Sequence, residues 1–423
     1  MRIKTTAISY YLIIFNLLLA VDFWNLFNIS IYNDFNSTAN KTFIALLSCL
    51  WFIFIGCRQA VYEKTAQYSK FTKKYFLWVV FVFSIQSVYG IFSYHQTVLD
   101  MYIVLSHYLL ILQVPIYIHV FKKYSFHHVL KLIVIFVSID CIFVLLYSLS
   151  FNLIGFKIPF LHYPIENPFG LFRIRSDRLR LSFGGAFLCI MPLFSFFMFI
   201  SKNGISKIKI KYLLLLILSI ITIIYSAQTR MLLIALILSL LVMWFSSKPN
   251  IKAKIKILFF ISVLVLLNIN TIKSFKDSFS SNNEETGGSS LAREYAFSYY
   301  SQFTDNNIIL GMGPVRNYRP DLAILINGKE GLAHFDDIGV FGLFFRYGLL
   351  GLSCYLIFVF YLFYTLMKVK KNNHHYYPLL CGLFSWVILT SPSLIITDVQ
   401  RMPLFPLILA LFEYIRKETL SRV

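Results

Sequence analysis

The sequence is short of charge. Only 14% of its residues are Asp, Glu, Lys or Arg, against about a quarter in a soluble globular domain, so a water-soluble enzyme or binding module is excluded. Acidic residues are the scarcer sign, 19 against 39 Lys and Arg. No compact carboxylate cluster stands in any loop to hold a divalent cation, and neither a metal nor a cofactor is expected. The six cysteines, Cys49, Cys57, Cys141, Cys189, Cys354 and Cys381, lie in or at the edge of apolar runs. That placement excludes a disulfide framework, and no paired spacing suggests zinc. Also absent are a repeat relating 1–210 to 211–423 and a small-residue cleavage site after the first apolar run. That run therefore reads as a retained anchor, with the chain beginning inside.

What is present is apolar: 58% of the chain is hydrophobic. A run of about 20 such residues crosses the hydrocarbon core as a helix, and twelve stretches qualify: 7–29, 42–57, 75–94, 101–120, 129–150, 181–201, 212–226, 231–246, 257–272, 347–367, 377–396 and 399–415. The expected fold is an all-α polytopic membrane protein with about twelve transmembrane helices. Residues 1–272 hold spans 1–9, residues 273–346 form one large extracytoplasmic loop, and residues 347–423 hold spans 10–12 and a cytoplasmic C-terminus. Lysines cluster in every second loop, as at Lys64, Lys70, Lys73 and Lys74, at Lys122 and Lys123, and at Lys368, Lys370 and Lys371. Positive loops face the cytoplasm, so both termini are expected there. Topology thus explains the net charge of +20, and nucleic acid is not an expected partner.

Arginine does not follow lysine. Of the 14 arginines only Arg2, Arg58, Arg416 and Arg422 fall inside on this topology, and the other ten fall outside. A guanidinium is planar, permanently charged and able to grip phosphate oxygens with two N–H groups at once. Arginines gathered on the face that the topogenic rule leaves poor in positive charge point to an anionic ligand. Arg175, Arg178 and Arg180 fall in IRSDRLRLSFGGAF, where Arg178 and Arg180 alternate with Leu179 and Leu181, a pattern unlike a solvated helix face. Residues 212–246 are too long for one helix, and folding them as a hairpin puts Arg230 at the outer turn. In the large loop SFKDSFSSNNEETGGSS is polar and mobile in character. LAREYAFSYYSQFTDNNIILGMGP then predicts a helix with an apolar stripe at 291, 295, 299 and 303, Arg293 in its first turn, and a turn at Gly311, Gly313 and Pro314. Arg316 and Arg319 follow.

Residues 331–352, GLAHFDDIGVFGLFFRYGLLGL, carry His334, Asp336, Asp337 and Arg346 into an apolar run. From Ile338 to Met367 is 30 residues, ~45 Å as a helix and beyond a core of ~30 Å. The run is therefore predicted to break: a short interfacial helix over 334–346, a bend at Gly348, and a span from Tyr347. His334 and Asp337, three residues apart, share a face, and the ionisable groups, Arg346 included, are displayed at the outer surface.

RMLLIALIL, AREYAFSYYSQFTDNNIILGMGP and AHFDDIGVFGLFFRYGLLGL resemble, in order, three regions of the O-antigen ligase/polymerase superfamily, and RLSFGGAFL resembles a fourth. The resemblance covers roughly residues 170–370. It implies a GT-C-like membrane glycosyltransferase acting on polyprenyl-diphosphate-linked oligosaccharides, as donor and acceptor, at the outer face of a bacterial cytoplasmic membrane. The matched positions imply Arg230 and Arg293 as diphosphate clamps, Arg180 as a further diphosphate-binding candidate and His334 as the base; beside them Arg319 is read as another diphosphate candidate and Asp337 as orienting His334 or replacing it. Flippase and chain-length regulator proteins are the partners implied. Ligases carry Asn, Ser or Gln after the histidine; this chain carries Phe335, which favours the repeat-unit polymerase over the ligase. A flippase or other twelve-span transporter is the alternative class, although such proteins show internal halves with matching broken helices.

Overall fold

The computed structural model describes residues 70–124, 126–155, 172–175, 178–181, 187–201, 207–224, 230–247, 284–304, 307–329, 331–372, 374–398 and 401–420, with isolated positions before 70. The helices are α1 (Lys70–Tyr94), α2 (Val98–Leu105), α3 (Val114–Tyr124), α4 (Phe126–Leu149), α5 (Phe187–Ser201), α6 (Lys207–Thr222), α7 (Arg230–Ser246), α8 (Glu284–Thr304), α9 (Pro320–Asn327), α10 (Gly339–Lys371), α11 (Tyr377–Thr390) and α12 (Leu404–Leu420). A 3-10 segment, Ser106–Gln113, joins α2 to α3. Pro115 explains it: its ring clashes with the carbonyl four residues earlier, so the turn before it cannot close as an α-helix. Two short antiparallel strands, β1 (Phe172–Arg175) and β2 (Arg178–Leu181), follow α4.

Among the described residues four helices are long and apolar enough to cross a membrane: Lys70–Tyr94, Val98–Tyr124, His128–Asn152 and Phe335–Lys371. Shorter apolar helices accompany them at Ile190–Ser201, Ile210–Thr222, Met231–Ser246 and Tyr377–Thr390. The expected spans 7–29, 42–57 and 257–272 lie outside the described residues apart from isolated positions; the other nine each coincide with a helical stretch. The main core gathers Phe121 of α3, Phe194 of α5, Phe358 of α10, Trp386 of α11 and Phe405 and Phe412 of α12, all essentially inaccessible. Between helices that cross a membrane such burial stabilises through close van der Waals packing rather than through removal from water.

A second, smaller core sits apart from the first: Ala296 and Tyr300 of α8, Met312, Ala333, Phe335, Ile338 and Phe345. Here the expected stripe is corrected. Position 300 is buried and 295, 299 and 303 flank it, because the face of α8 that meets the start of α10 turns one residue further round. α8 also begins at Glu284, so Arg293 lies in its third turn and the polar residues 284–290 are helical.

α10 breaks at Gly348 (φ 61°, ψ −161°), the residue expected to bend it. A break inside an apolar helix strands backbone donors and acceptors that must find partners within the protein. Residues 308–313 supply them. Met312 N donates to Phe345 O at 2.9 Å and Gly313 N to Arg346 O at 2.6 Å. Leu349 N and Leu350 N donate to Ile308 O and Ile309 O at 3.0 and 3.2 Å. Gln86 of α1 closes the set, its Nε2 donating to Tyr347 O at 2.9 Å and Leu310 O at 3.1 Å. Gly311 (φ 63°) and Gly348 lie against each other so closely that a Cβ on either would run into the other segment's backbone. The ILGMG turn is therefore a wedge seated in the broken helix. The piece before the break is also composite, a 3-10 turn at Phe335–Ile338 and a short helix from Gly339 (φ 52°).

Candidate functional site

Three non-consecutive segments meet beside the break. The 3-10 turn and first helical turns of α10, the Ser106–Gln113 segment, and the connection 391–398 after α11 enclose a cavity of about 30 Å³. Its lining includes His107, Tyr108, Asp336, Arg346, Tyr347, Thr397 and Asp398. Val340 N donates to Ser391 O at 2.8 Å and holds the 391–398 segment against α10.

Arg346 is half-buried and turned into this cavity rather than displayed at the surface as expected. Its guanidinium carbon lies 5.5 Å from the Phe335 ring centroid and 5.2 Å from that of Tyr347, both cation–π distances. It makes no ion pair among the described residues. Asp398 is taken by Arg401 at 2.6 Å, and Asp336 stands exposed at the rim. Two further groups lack partners: the Tyr347 hydroxyl and Thr397 Oγ1, on residues that are 2% and 5% exposed. Buried polar atoms normally have a partner, so the cavity presents a charged donor and two unused hydroxyls.

The residues expected from the sequence are placed as follows. His334 is exposed and extended, immediately before the 3-10 turn, and Asp337 is exposed within that turn. Asp337 N donates to His334 O at 3.3 Å, but the two side chains make no hydrogen bond with each other. Arg293 is exposed and makes no ion pair among the described residues. Arg319 is engaged, donating to Asp321 Oδ2 at 3.0 Å and to Tyr94 O at 3.3 Å, which makes it a tether of the 316–321 segment to α1. Arg230 opens α7, and its side chain lies outside the described residues. Arg180 lies in β2 opposite Arg173, and Arg178 lies opposite Arg175. The alternation at 178–181 belongs to a strand.

Sequence reading missed the enclosure of Arg346 and the parts played by His107, Tyr347, Thr397 and Asp398. Only the break in α10 hinted at them, since a broken helix marks a place where backbone and polar groups face a cavity. Tyr300 belongs to the supporting layer: it stacks on Phe335 at 3.8 Å and donates to Ile326 O at 2.5 Å. Burial pushes its phenol well above the usual tyrosine range, so it stays a neutral donor. No family model and no curated protein matches the chain.

Proposed function

We propose that the protein is a membrane glycosyltransferase that joins polyprenyl-diphosphate-linked oligosaccharide repeat units at the outer face of a bacterial cytoplasmic membrane. The observation that carries this reading is the sorting of arginine from lysine along the chain, with Arg346 turned into the cavity beside the break in α10. Helices of this length joined by short connections reverse direction at each turn. The hairpin arginines, Arg230, Arg316, Arg319, Arg346 and Arg401 then fall at one end, and the lysine clusters at the other. The register pairs Arg173 with Arg180 and Arg175 with Arg178, a local concentration of positive charge that an anion of high charge density would offset. A lipid diphosphate supplies it.

In this reaction an acceptor sugar oxygen bonds to the anomeric carbon of the donor while the bond from that carbon to the phosphate oxygen breaks. The hydroxyl proton of the lipid-linked acceptor passes to His334, which is exposed, and Asp337 stands in the same turn to hold or replace it. Negative charge grows on the departing diphosphate, and Arg293 and Arg230, with Arg180 and Arg319 as further contacts, stabilise it. Phe335, where ligases of the resembled superfamily carry a polar residue, is a packing residue here, which favours the polymerase over the ligase. Chain-length regulator and flippase proteins would be its neighbours. In membranes supplied with lipid-linked repeat units, His334→Ala and Arg293→Ala are each expected to lower polymer formation by about a hundredfold or more at unchanged protein level. Full-length polymer from either variant removes the role assigned to that residue.

A further inference from the structure

We infer that the cavity beside the break of α10 is a binding site for a small oxyanionic group, a carboxylate or a phosphate, held by Arg346, Tyr347 and Thr397. Binding here is independent of the polymerase reading: either can hold without the other.

The chemistry of the lining selects the ligand. Arg346 brings N–H donors and a fixed positive charge; it makes no ion pair among the described residues, and Asp336 in the same lining acts on it electrostatically without a direct bond. The Tyr347 hydroxyl and Thr397 Oγ1 add two donors, each buried and unpartnered. Asp398, the only buried acid in the lining, already holds Arg401 at 2.6 Å, and Asp336 faces water at the rim. The site thus offers two hydroxyl donors and a guanidinium that no carboxylate bonds directly among the described residues. Water could meet the hydroxyls, whereas an oxyanion would accept from such donors and also give the guanidinium a directly bonded counter-charge. The volume of about 30 Å³ suits a carboxylate or the outer oxygens of a phosphate, so the ligand enters head first with its remainder outside. Stacking of Arg346 between Phe335 and Tyr347 fixes the guanidinium in advance and lowers the entropy lost on binding.

The test is calorimetric titration of the purified full-length protein, in a neutral detergent and phosphate-free buffer, with inorganic phosphate, with glucuronate and with glucose. Saturable binding of phosphate, glucuronate or both, with none of glucose, is expected. Phosphate alone assigns the site to a phosphate head group, and glucuronate alone to an acidic sugar. Arg346→Gln should abolish binding. Tyr347→Phe and Thr397→Val, which keep the shape of the side chain, should each weaken it roughly tenfold without lowering the melting temperature. Absence of saturable binding by the wild type, binding of glucose equal to that of the anions, or wild-type affinity in both Arg346→Gln and Tyr347→Phe overturns the inference.

Discussion

At the scale of single residues, Phe335 joins three parts of the molecule. Its ring lies on Tyr300 of α8 at 3.8 Å, under the guanidinium of Arg346, and in the lining of the cavity. Truncating a buried aromatic leaves a void and exposes its neighbours, at a cost of about 3–5 kcal/mol. Phe335→Ala is therefore expected to melt several degrees below wild type in detergent and to release α8 to proteolysis before the helical bundle unfolds. Equal melting temperatures and unchanged digestion would mean that α8 is held by other contacts. Arg346 shows what the sequence hides at this scale. Its residue type pointed to an anionic ligand, but its inward placement depends on the 391–398 segment, roughly fifty residues further along, and on the bond from Val340 N to Ser391 O. No local pattern reports such a contact.

At the scale of elements, the break in α10 is the feature most fully written in the sequence. A run too long for one span, with a glycine near its start, leaves few alternatives, and Gly348 is where the helix opens. The wedge that fills the break was half visible: Gly311 and Gly313 marked a turn, but nothing local said that its amides would meet Phe345 O and Arg346 O. Replacing Gly348 by Ala forces a side chain into a left-handed conformation and against the Ile309 carbonyl, at a cost of ~2 kcal/mol or more. Gln86→Leu leaves Tyr347 O and Leu310 O without that donor, at roughly 1–3 kcal/mol for each acceptor stranded. Both variants should lower the melting temperature, and amide exchange should rise at Met312 and Gly313 in each. Wild-type protection at those two amides would show that the wedge holds without them. The start of α8 was not legible, because Glu284–Ser290 contains two glycines and two serines, which local propensity reads as loop.

At the scale of the whole molecule, composition and length give a helical protein with four helices able to cross a membrane, and lysine placement gives its proposed orientation. The sorting of arginine from lysine carries the functional proposal furthest, and Arg346 in the cavity beside the break is the arginine whose surroundings are described most fully. Orientation is checked with single cysteines at Ser298 and Leu332, both exposed; position 335 is unsuitable because Phe335 is buried. In intact cells lacking an outer barrier, a membrane-impermeant maleimide should label both. Labelling only after lysis would place this end in the cytoplasm and remove the lipid-linked substrate from reach.

The central claim, polymerisation of lipid-linked repeat units, is tested most directly by deleting the gene and separating the surface glycans by electrophoresis. The polymerase reading predicts that long chains vanish and that species bearing a single repeat remain, restored to full length by the wild-type gene and not by His334→Ala. Long chains that persist on the polyprenyl carrier, repeat units trapped inside the cell, or an unchanged glycan ladder would contradict it.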